Sequence, residues 1–589
     1  MATTLRPVDV VLVGMGWTGG ILAKELSEAG LRVVGLERGR VRQTVPDFQS
    51  PAIHDELRYA VRHELMQNMK VEPITFRNTP DQEALPMRQL GSFLPGTDLG
   101  GAGVHWNGQT WRFLPSDFRL RSHHEERYGK GFIPEDLTVQ DWGITYEELE
   151  PFYDHFEKVC GIGGKAGNLN GTLQPGGNPF EGPRSGEFPN PPMKQAYSGA
   201  LFGKAAAGLG YTPFPVPSAN MTREYTNPYG ATLKPCNYCG YCERFACEHF
   251  AKSSAQLCVL PAALRNPNFE LRPLCHVTRV NLSPDGKRAT GVTYVDGQGR
   301  ETVQPAEIVI LCAFGINNVR LMLWSGIGQA YDPATGQGNV GRNYSYQTMS
   351  SVNVFYPEDV RLNQFMGAGA LGTAIDDYNG DNFDHGPLGF LGGGYIAAYT
   401  TGLRPIQGHS VPEGTPRWGA EWKAAVRRHY NHTAGISVHG SSYTRPTNYI
   451  SLDPTYRDAF GVPAMRITYD FPENDRKMSD FVTDRALEIG KAMGGTQLSA
   501  SRLDKRYSIV PYQTTHNTGG AIMGADPGSS VVNRYLQSWD VPNVFVQGAC
   551  VYPQNPGYNP TGTVGALAYW TAKAIKERYL KDPGPLVRA

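Results

Sequence analysis

The sequence predicts an α/β fold, α+β overall: a parallel sheet covered by helices, joined to a second domain on an antiparallel sheet. Three observations predict it. Residues 8–13, VDVVLV, form a continuous apolar run of strand type, followed by a glycine turn and the amphipathic stretch ILAKELSEAG. A second glycine-rich patch lies at Thr515–Gly524, before the strand NVFVQGACVYP and a terminal helical stretch. Between these ends, GPLGFLGGGYIAAY, ISVHGSSY and NYISLDPTYRDAFGVPAMRITYDF read as strands, the last as a pair joined by a turn.

The first unit carries Gly14, Gly16 and Gly19 in the turn GMGWTG, and its second strand, LRVVGLE, ends at Glu37. A bare G-x-G-x-x-G is weak evidence. Between a strand and a helix, with an acid ending the next strand, it marks a Rossmann-like dinucleotide site. The glycines permit a tight turn and close approach of a pyrophosphate to the helix N-terminus, and Glu37 would accept ribose hydroxyls.

Next comes DLGGAGVHWNG, residues 98–108, in which Gly100, Gly101, His105 and Asn107 are candidates to line a long flat cofactor. A nicotinamide site would not need such a loop, so FAD is the cofactor expected. His105 reads either as a point of covalent flavin attachment or as a packed histidine.

The segment FELRPLCHVTRV through EIVILCAFG then predicts a small antiparallel sheet ending in a buried strand and a helix, with Val277 as a further cofactor contact. Near the chain end, GYNPTGT opens a helix at Pro560–Thr561, whose N-terminal amides suit a negative flavin locus. Thr561 is carried as a cofactor contact. His516, in THNTGG, is a base of the kind that removal of an alcohol proton requires. The expected division is a discontinuous FAD-binding domain over 1–120, 255–345 and 505–589. The substrate domain covers 121–254 and 346–504, with His439, Tyr443, Arg445 and Asn363 as polar candidates in it.

Composition bounds the partners. At 589 residues with 55 basic and 55 acidic side chains, the chain has no net charge and no electrostatic case for nucleic acid. No apolar run reaches the roughly 18–20 residues of a membrane span. The start, MATTLRPVDVVLVG, has no secretory pattern, so the expectation is a chain without its own export signal.

Of nine cysteines, four cluster: Cys236, Cys239, Cys242 and Cys247, spaced C-x2-C-x2-C-x4-C within the loop 234–254. Zinc more often shows two separated pairs. Disulfides between such close neighbours would be strained. An iron–sulfur cluster is the stronger reading, because the spacing is close to a ferredoxin-type run. Four cysteines permit [4Fe-4S], and three suffice for [3Fe-4S].

The motifs together resemble the glucose–methanol–choline (GMC) flavin oxidoreductases over nearly the whole length: GMGWTGG with Glu37, GGAGVHW, SGIG at Ser325–Gly328, NVGRNY at Asn339–Tyr344, THNTGG and GYNPTGT. The resemblance implies a GMC-type FAD-binding domain over an antiparallel substrate sheet, with His516 and Asn559 as the active pair. His516 would accept the hydroxyl proton as hydride passes to the flavin, and Asn559 would hold the substrate oxygen. Gln547-Gly548-Ala549-Cys550 departs from the family where an Asp is usual, and GINNVR where Ser or Thr is common. His105 matches the attachment point of covalently flavinylated members.

The cysteine loop resembles a membrane-associated bacterial branch whose large flavoprotein subunits oxidise gluconate, fructose or sorbitol. That branch implies a [3Fe-4S] cluster, with Cys239, Cys242 and Cys247 preferred over Cys236. It also implies a multihaem cytochrome c subunit, a small signal-bearing subunit, and export with it to the periplasmic face of the inner membrane, membrane contact being through partners only. The activity expected is a dehydrogenase taking gluconate to 2-dehydrogluconate. Sorbitol, fructose, glucose or 2-dehydrogluconate are the alternative substrates. From other classes come an electron-transfer flavoprotein without its own substrate and an oxygen-using oxidase.

Overall fold

The computed structural model describes residues 2–48, 63–88, 93–403, 408–510 and 514–588. Its N-terminal core is a parallel sheet in the order Phe269–Arg272, Val33–Leu36, Val8–Val13, Glu301–Leu311 and Val544–Val546. Alternate residues of these strands enter two different cores. Val10, Leu12, Ile308, Ile310 and Phe545 face the helix Trp17–Glu28, while Val11, Val13, Val309, Leu311 and Val546 face the other way. Burial on both faces is why these strands read as unbroken apolar runs.

Glu301–Leu311 is one eleven-residue strand shared between parallel and antiparallel pairing. Its C-terminal half pairs parallel with Val8–Val13, and its N-terminal half pairs antiparallel with Ala289–Val295, which in turn pairs with His276–Leu282. The segment FELR belongs to the parallel sheet rather than to this antiparallel one.

The second large sheet has six antiparallel strands: Gln497–Ser501, Thr348–Phe355, Thr433–Gly440, Gly394–Thr401, Gly367–Ile375 and Phe214–Pro215. One face buries Val352, Val354, Ile396, Ala434, Ile436 and Val438 against Phe202 of the helix Tyr197–Gly208 and Met478, Val482, Ala486 and Ile489 of Glu473–Ala492. With a side-chain period of two, Met349, Asn353, Tyr399, Ser437 and His439 fall on the opposite face, where they line the central cavity. The strands Tyr449–Arg457 and Pro463–Thr468 pair as a hairpin, and Ile74–Arg77 adds parallel to the latter.

Candidate active site

One cavity of about 500 Å³ runs between the two sheets. Its walls bring together Gly14, Gly16, Glu37, Gly101, His105, Asn107 and Val277 at one end with His439, His516, Asn559 and Thr561 at the other.

The glycine turn is shaped for a close ligand. Gly14 sits at φ +95°, where a Cβ would stand 2.7 Å from the Cys312 carbonyl oxygen. At Gly19 a Cβ would stand 2.1 Å from the Gly14 oxygen, so that glycine lets the helix Trp17–Glu28 close onto its own turn. Gly16 differs: a Cβ there meets nothing nearer than the Gly100 oxygen at 3.9 Å. Its missing side chain leaves room beside the helix N-terminus, as a pyrophosphate requires.

Glu37 is buried and accepts from the Met15 and Gly39 amides, both at 2.9 Å. Burial raises its carboxyl pKa. Gly100, left-handed at φ +95°, starts the short turn Gly101–Gly103 and packs against Val104 and Gln256 rather than the cavity. His105 follows that turn, buried, with Nε2 lacking a hydrogen-bond partner. Burial and the nearby Lys252 ammonium push its pKa down to about 3. A neutral imidazole with an unmatched ring nitrogen at the cavity wall fits a flavin contact. Asn107 Oδ1 accepts from the Gln109 amide at 3.0 Å, and Thr561 opens the helix Thr561–Ala574.

At the far end, His516 Nδ1 lies 2.5 Å from Gln347 Oε1, and its Nε2 lies 3.2 Å from Asn559 Nδ2. Asn559 Oδ1 accepts from Trp111 Nε1 at 3.0 Å and from the Tyr395 hydroxyl at 2.8 Å. Those two donors orient the amide so that Nδ2 donates to His516. Gln347 is oriented likewise: its Nε2 donates to the Gly557 carbonyl, and its Oε1 accepts from the Thr514 hydroxyl at 2.8 Å. The proton of His516 therefore sits on Nδ1, and Nε2 carries the lone pair. Burial, reinforced by His439, lowers the His516 pKa to about 3. His439 stacks on Tyr395 with ring centroids 4.8 Å apart and lies 3.4 Å from the same Gln347 oxygen.

Gln347, Tyr395 and Trp111 carry no motif visible in the sequence. Gln347 does lie three residues after the NVGRNY segment, which is the one signal that could have drawn attention to it. Tyr443 is buried in a separate cluster with Leu120 and Leu391. Arg445 donates to the Asp470 carbonyl, and Asn363 bonds the Phe365 amide, so both make structural contacts. Gly548, in the segment that departs from the family pattern, lines the cavity at φ +100°.

The cysteine loop abuts the His105 end. Glu243 and Arg244 line the cavity, and the Arg244 amide donates to the His105 carbonyl at 2.7 Å. Lys252, itself buried, donates from Nζ to the carbonyls of Trp106 (2.6 Å), Cys242 (2.6 Å) and Phe245 (2.8 Å), tying this loop to the glycine-rich one. Gly240 and the Tyr238 carbonyl bond the backbone of Gly367 at the substrate sheet.

Cys236, Cys239 and Cys247 are partly buried, Cys242 is buried, and all four are free thiols. Burial and the neighbouring sulfurs raise Cys236, and raise Cys239 to about 12. Among the described residues, no three of these sulfurs lie within 4.8 Å of one another. A single tetrahedral zinc with Zn–S near 2.3 Å needs sulfurs closer than that. A cluster binds each cysteine to a different iron and tolerates wider spacing. Four thiols in one loop are a donor set that could hold an iron–sulfur cluster.

A dinucleotide cradle continuous with a histidine held as a proton acceptor defines an FAD-dependent oxidoreductase acting on CH–OH groups. The chain belongs to the GMC oxidoreductase family, whose profile matches residues 218–349 and 444–568. It is 51% identical to the gluconate 2-dehydrogenase flavoprotein of Pantoea cypripedii, over 100% of this chain and 97% of that protein. It is 26% identical to the fructose dehydrogenase large subunit of Gluconobacter japonicus, over 98% of this chain and 99% of that one. In fold it is similar to the pyridoxine 4-oxidase of Mesorbium loti, with a TM-score of 0.57 at 18% identity, covering 96% of this chain and 98% of that one.

Proposed function

We propose that this chain is the flavoprotein subunit of a sugar-acid dehydrogenase that oxidises a secondary hydroxyl, gluconate to 2-dehydrogluconate in the first instance. The observation that carries it is the His516–Asn559 pair, 3.2 Å apart in the cavity that also holds the dinucleotide cradle. The similarity to a gluconate 2-dehydrogenase flavoprotein over both full lengths supports the substrate class.

FAD, when bound, supplies the two-electron acceptor for the substrate hydride. The chain supplies the rest. A substrate hydroxyl between His516 Nε2 and Asn559 Nδ2 gives its proton to the former and an oxygen contact to the latter. Gln347 takes up the Nδ1 proton's hydrogen bond, which holds the ring in the accepting tautomer. With a pKa near 3, His516 is a weak base. Burial keeps its Nε2 unprotonated and so free to take the hydroxyl proton.

The cysteine loop is proposed as the electron exit. An iron–sulfur cluster on Cys239, Cys242 and Cys247, with Cys236 as the fourth ligand if it is [4Fe-4S], would pass electrons singly to a cytochrome c subunit. The contact of Arg244 with His105 and the Lys252 bridge support this by joining the loop to the flavin end of the cavity. The domain division above, covalent attachment through His105, and export to the periplasmic face with a signal-bearing partner are proposed with it. No described helix is long and apolar enough to cross a membrane.

One observation favours a second reading, a neutral polyol or ketose such as sorbitol or fructose. The substrate-sheet strands give the cavity Asn353, Thr401, Thr433 and Ser437, and among the described residues none of the arginines lining it, Arg38, Arg244 and Arg320, comes from that sheet. A carboxylate is usually met by an arginine fork. Anaerobic flavin bleaching against gluconate, 2-dehydrogluconate, sorbitol, fructose and glucose tests both readings. Gluconate fastest supports the first, sorbitol or fructose fastest the second, and no bleaching by any overturns both.

A further inference from the structure

Away from the cavity, the helix Leu120–Tyr128 meets the loop after Gly367–Ile375, and two histidines and an aspartate converge there. His124 and His385 are fully buried and Asp381 is 7% exposed. One ligand-capable atom from each lies within 4.8 Å of the other two. None of the three lines the cavity.

Both imidazoles have one ring nitrogen committed to a backbone carbonyl: His124 Nδ1 to Leu120 O at 2.8 Å, and His385 Nε2 to Gly380 O at 3.0 Å. A carbonyl can only accept, so those nitrogens carry the protons. The remaining nitrogens, His124 Nε2 and His385 Nδ1, then hold lone pairs, and both are buried without a hydrogen-bond partner. His124 Nε2 lies 4.0 Å from Asp381 Oδ1, and the proton-bearing His385 Nε2 lies 3.5 Å from the same oxygen.

Asp381 is engaged on other sides. Its Oδ2 accepts from His123 Nε2 and from Arg127 Nη1 at 2.8 Å, and its Oδ1 accepts from the Tyr128 hydroxyl at 2.9 Å. Oδ1 also faces the His385 Nε2–H at 3.5 Å. Two buried ring nitrogens with lone pairs and no donor cost free energy, unless something electron-poor sits beside them.

We propose that His124, Asp381 and His385 form a structural site for a divalent first-row transition ion, zinc in the first instance, with water completing the coordination. Two neutral imidazoles and one carboxylate suit such an ion. The Leu120 and Gly380 carbonyls are the outer partners that commonly fix the tautomer of a ligating histidine. The ion would staple the helix Leu120–Tyr128 to the Asp381–His385 loop, beneath the aromatic cover of Phe132, Phe383 and Phe390. It is independent of the cysteine loop and of the reading of function.

The test is metal analysis of the full-length protein, dialysed against chelator and reloaded with Zn²⁺, beside thermal unfolding with and without the ion. The expected result is one zinc per chain and a rise in unfolding temperature on loading. Both are retained in a Cys239→Ser/Cys242→Ser variant and lost in His124→Gln and in His385→Gln, which keep side-chain bulk. Should either glutamine variant fail to fold, Asp381→Asn provides the same comparison. Wild type that takes up no zinc, zinc lost only with the cysteines, or equal uptake by the glutamine variants would overturn the proposal.

Discussion

Gln347 Oε1 lies 2.5 Å from His516 Nδ1, and the same oxygen lies 3.4 Å from His439 Nδ1. One amide oxygen thus faces both histidines at the substrate end of the cavity. Because Gln347 Nε2 is held by the Gly557 carbonyl, the amide cannot flip without losing that bond. The accepting nitrogen of His516 is consequently set by a residue 169 positions away in sequence.

Replacing Gln347 separates geometry from basicity. Gln347→Met removes the acceptor, and kcat/KM is expected to fall by about 10²-fold, the usual cost of a misplaced catalytic group. Gln347→Glu places a negative charge at Nδ1 and raises the imidazole pKa. In wild type that pKa is about 3, so His516 stays unprotonated from pH 5 to 8 and imposes no acid limb there. In Gln347→Glu an acid limb should enter this range, with activity lost as pH falls through the raised value. A pH–rate profile of flavin bleaching reads both outcomes.

His516→Ala is expected to retain FAD and lose substrate-dependent bleaching by about 10²–10⁴-fold, the range for a general base. Asn559→Ala should cost about 10²–10³-fold, as for loss of one oriented donor at a reacting oxygen. Unchanged bleaching in either variant removes that residue from the proposed pair.

The three motif glycines should respond differently to alanine. At Gly19 the new Cβ would stand 2.1 Å from a backbone oxygen, and the fold should lose roughly 1–3 kcal/mol of stability, the cost of overpacking. Gly14→Ala adds a left-handed φ to the same kind of clash. Gly16→Ala meets no protein atom closer than 3.9 Å, so the apo fold should be unaffected while FAD retention falls. Thermal unfolding of apo protein beside flavin content after gel filtration makes the comparison.

Cys239→Ser/Cys242→Ser is expected to remove iron and turnover with a one-electron acceptor, while flavin bleaching by substrate persists. Iron analysis and EPR of the oxidised protein follow the first effect and anaerobic spectroscopy the second. Zinc in place of iron in the wild-type loop would end the electron-exit reading.

Much of the fold was legible locally. A strand buried on both faces must be apolar throughout, which is why VDVVLV and EIVIL stand out, and a turn at φ +95° tolerates little besides glycine. The split pairing of Glu301–Leu311 was not legible, because a strand's partners are chosen by what packs beside each half. Nor was the face of the substrate sheet that lines the cavity: register turns alternate residues outward, and register depends on neighbours distant in sequence.

For the site, residue types and motif spacing by themselves determined a dinucleotide cradle, a candidate base at His516 and a cysteine-rich loop, with Asn559 added by the family resemblance, because those signals lie within short stretches of chain. Only the tertiary structure decided that cradle and base share one cavity, that Arg244 and Lys252 join the cysteine loop to its flavin end, and that Gln347, Trp111 and Tyr395 orient the pair. Hydrogen-bond direction depends on which donors and acceptors folding brings within about 3 Å. For the His516–Asn559 pair those partners, Trp111, Gln347 and Tyr395, come from three separate segments, and no stretch of sequence contains them together.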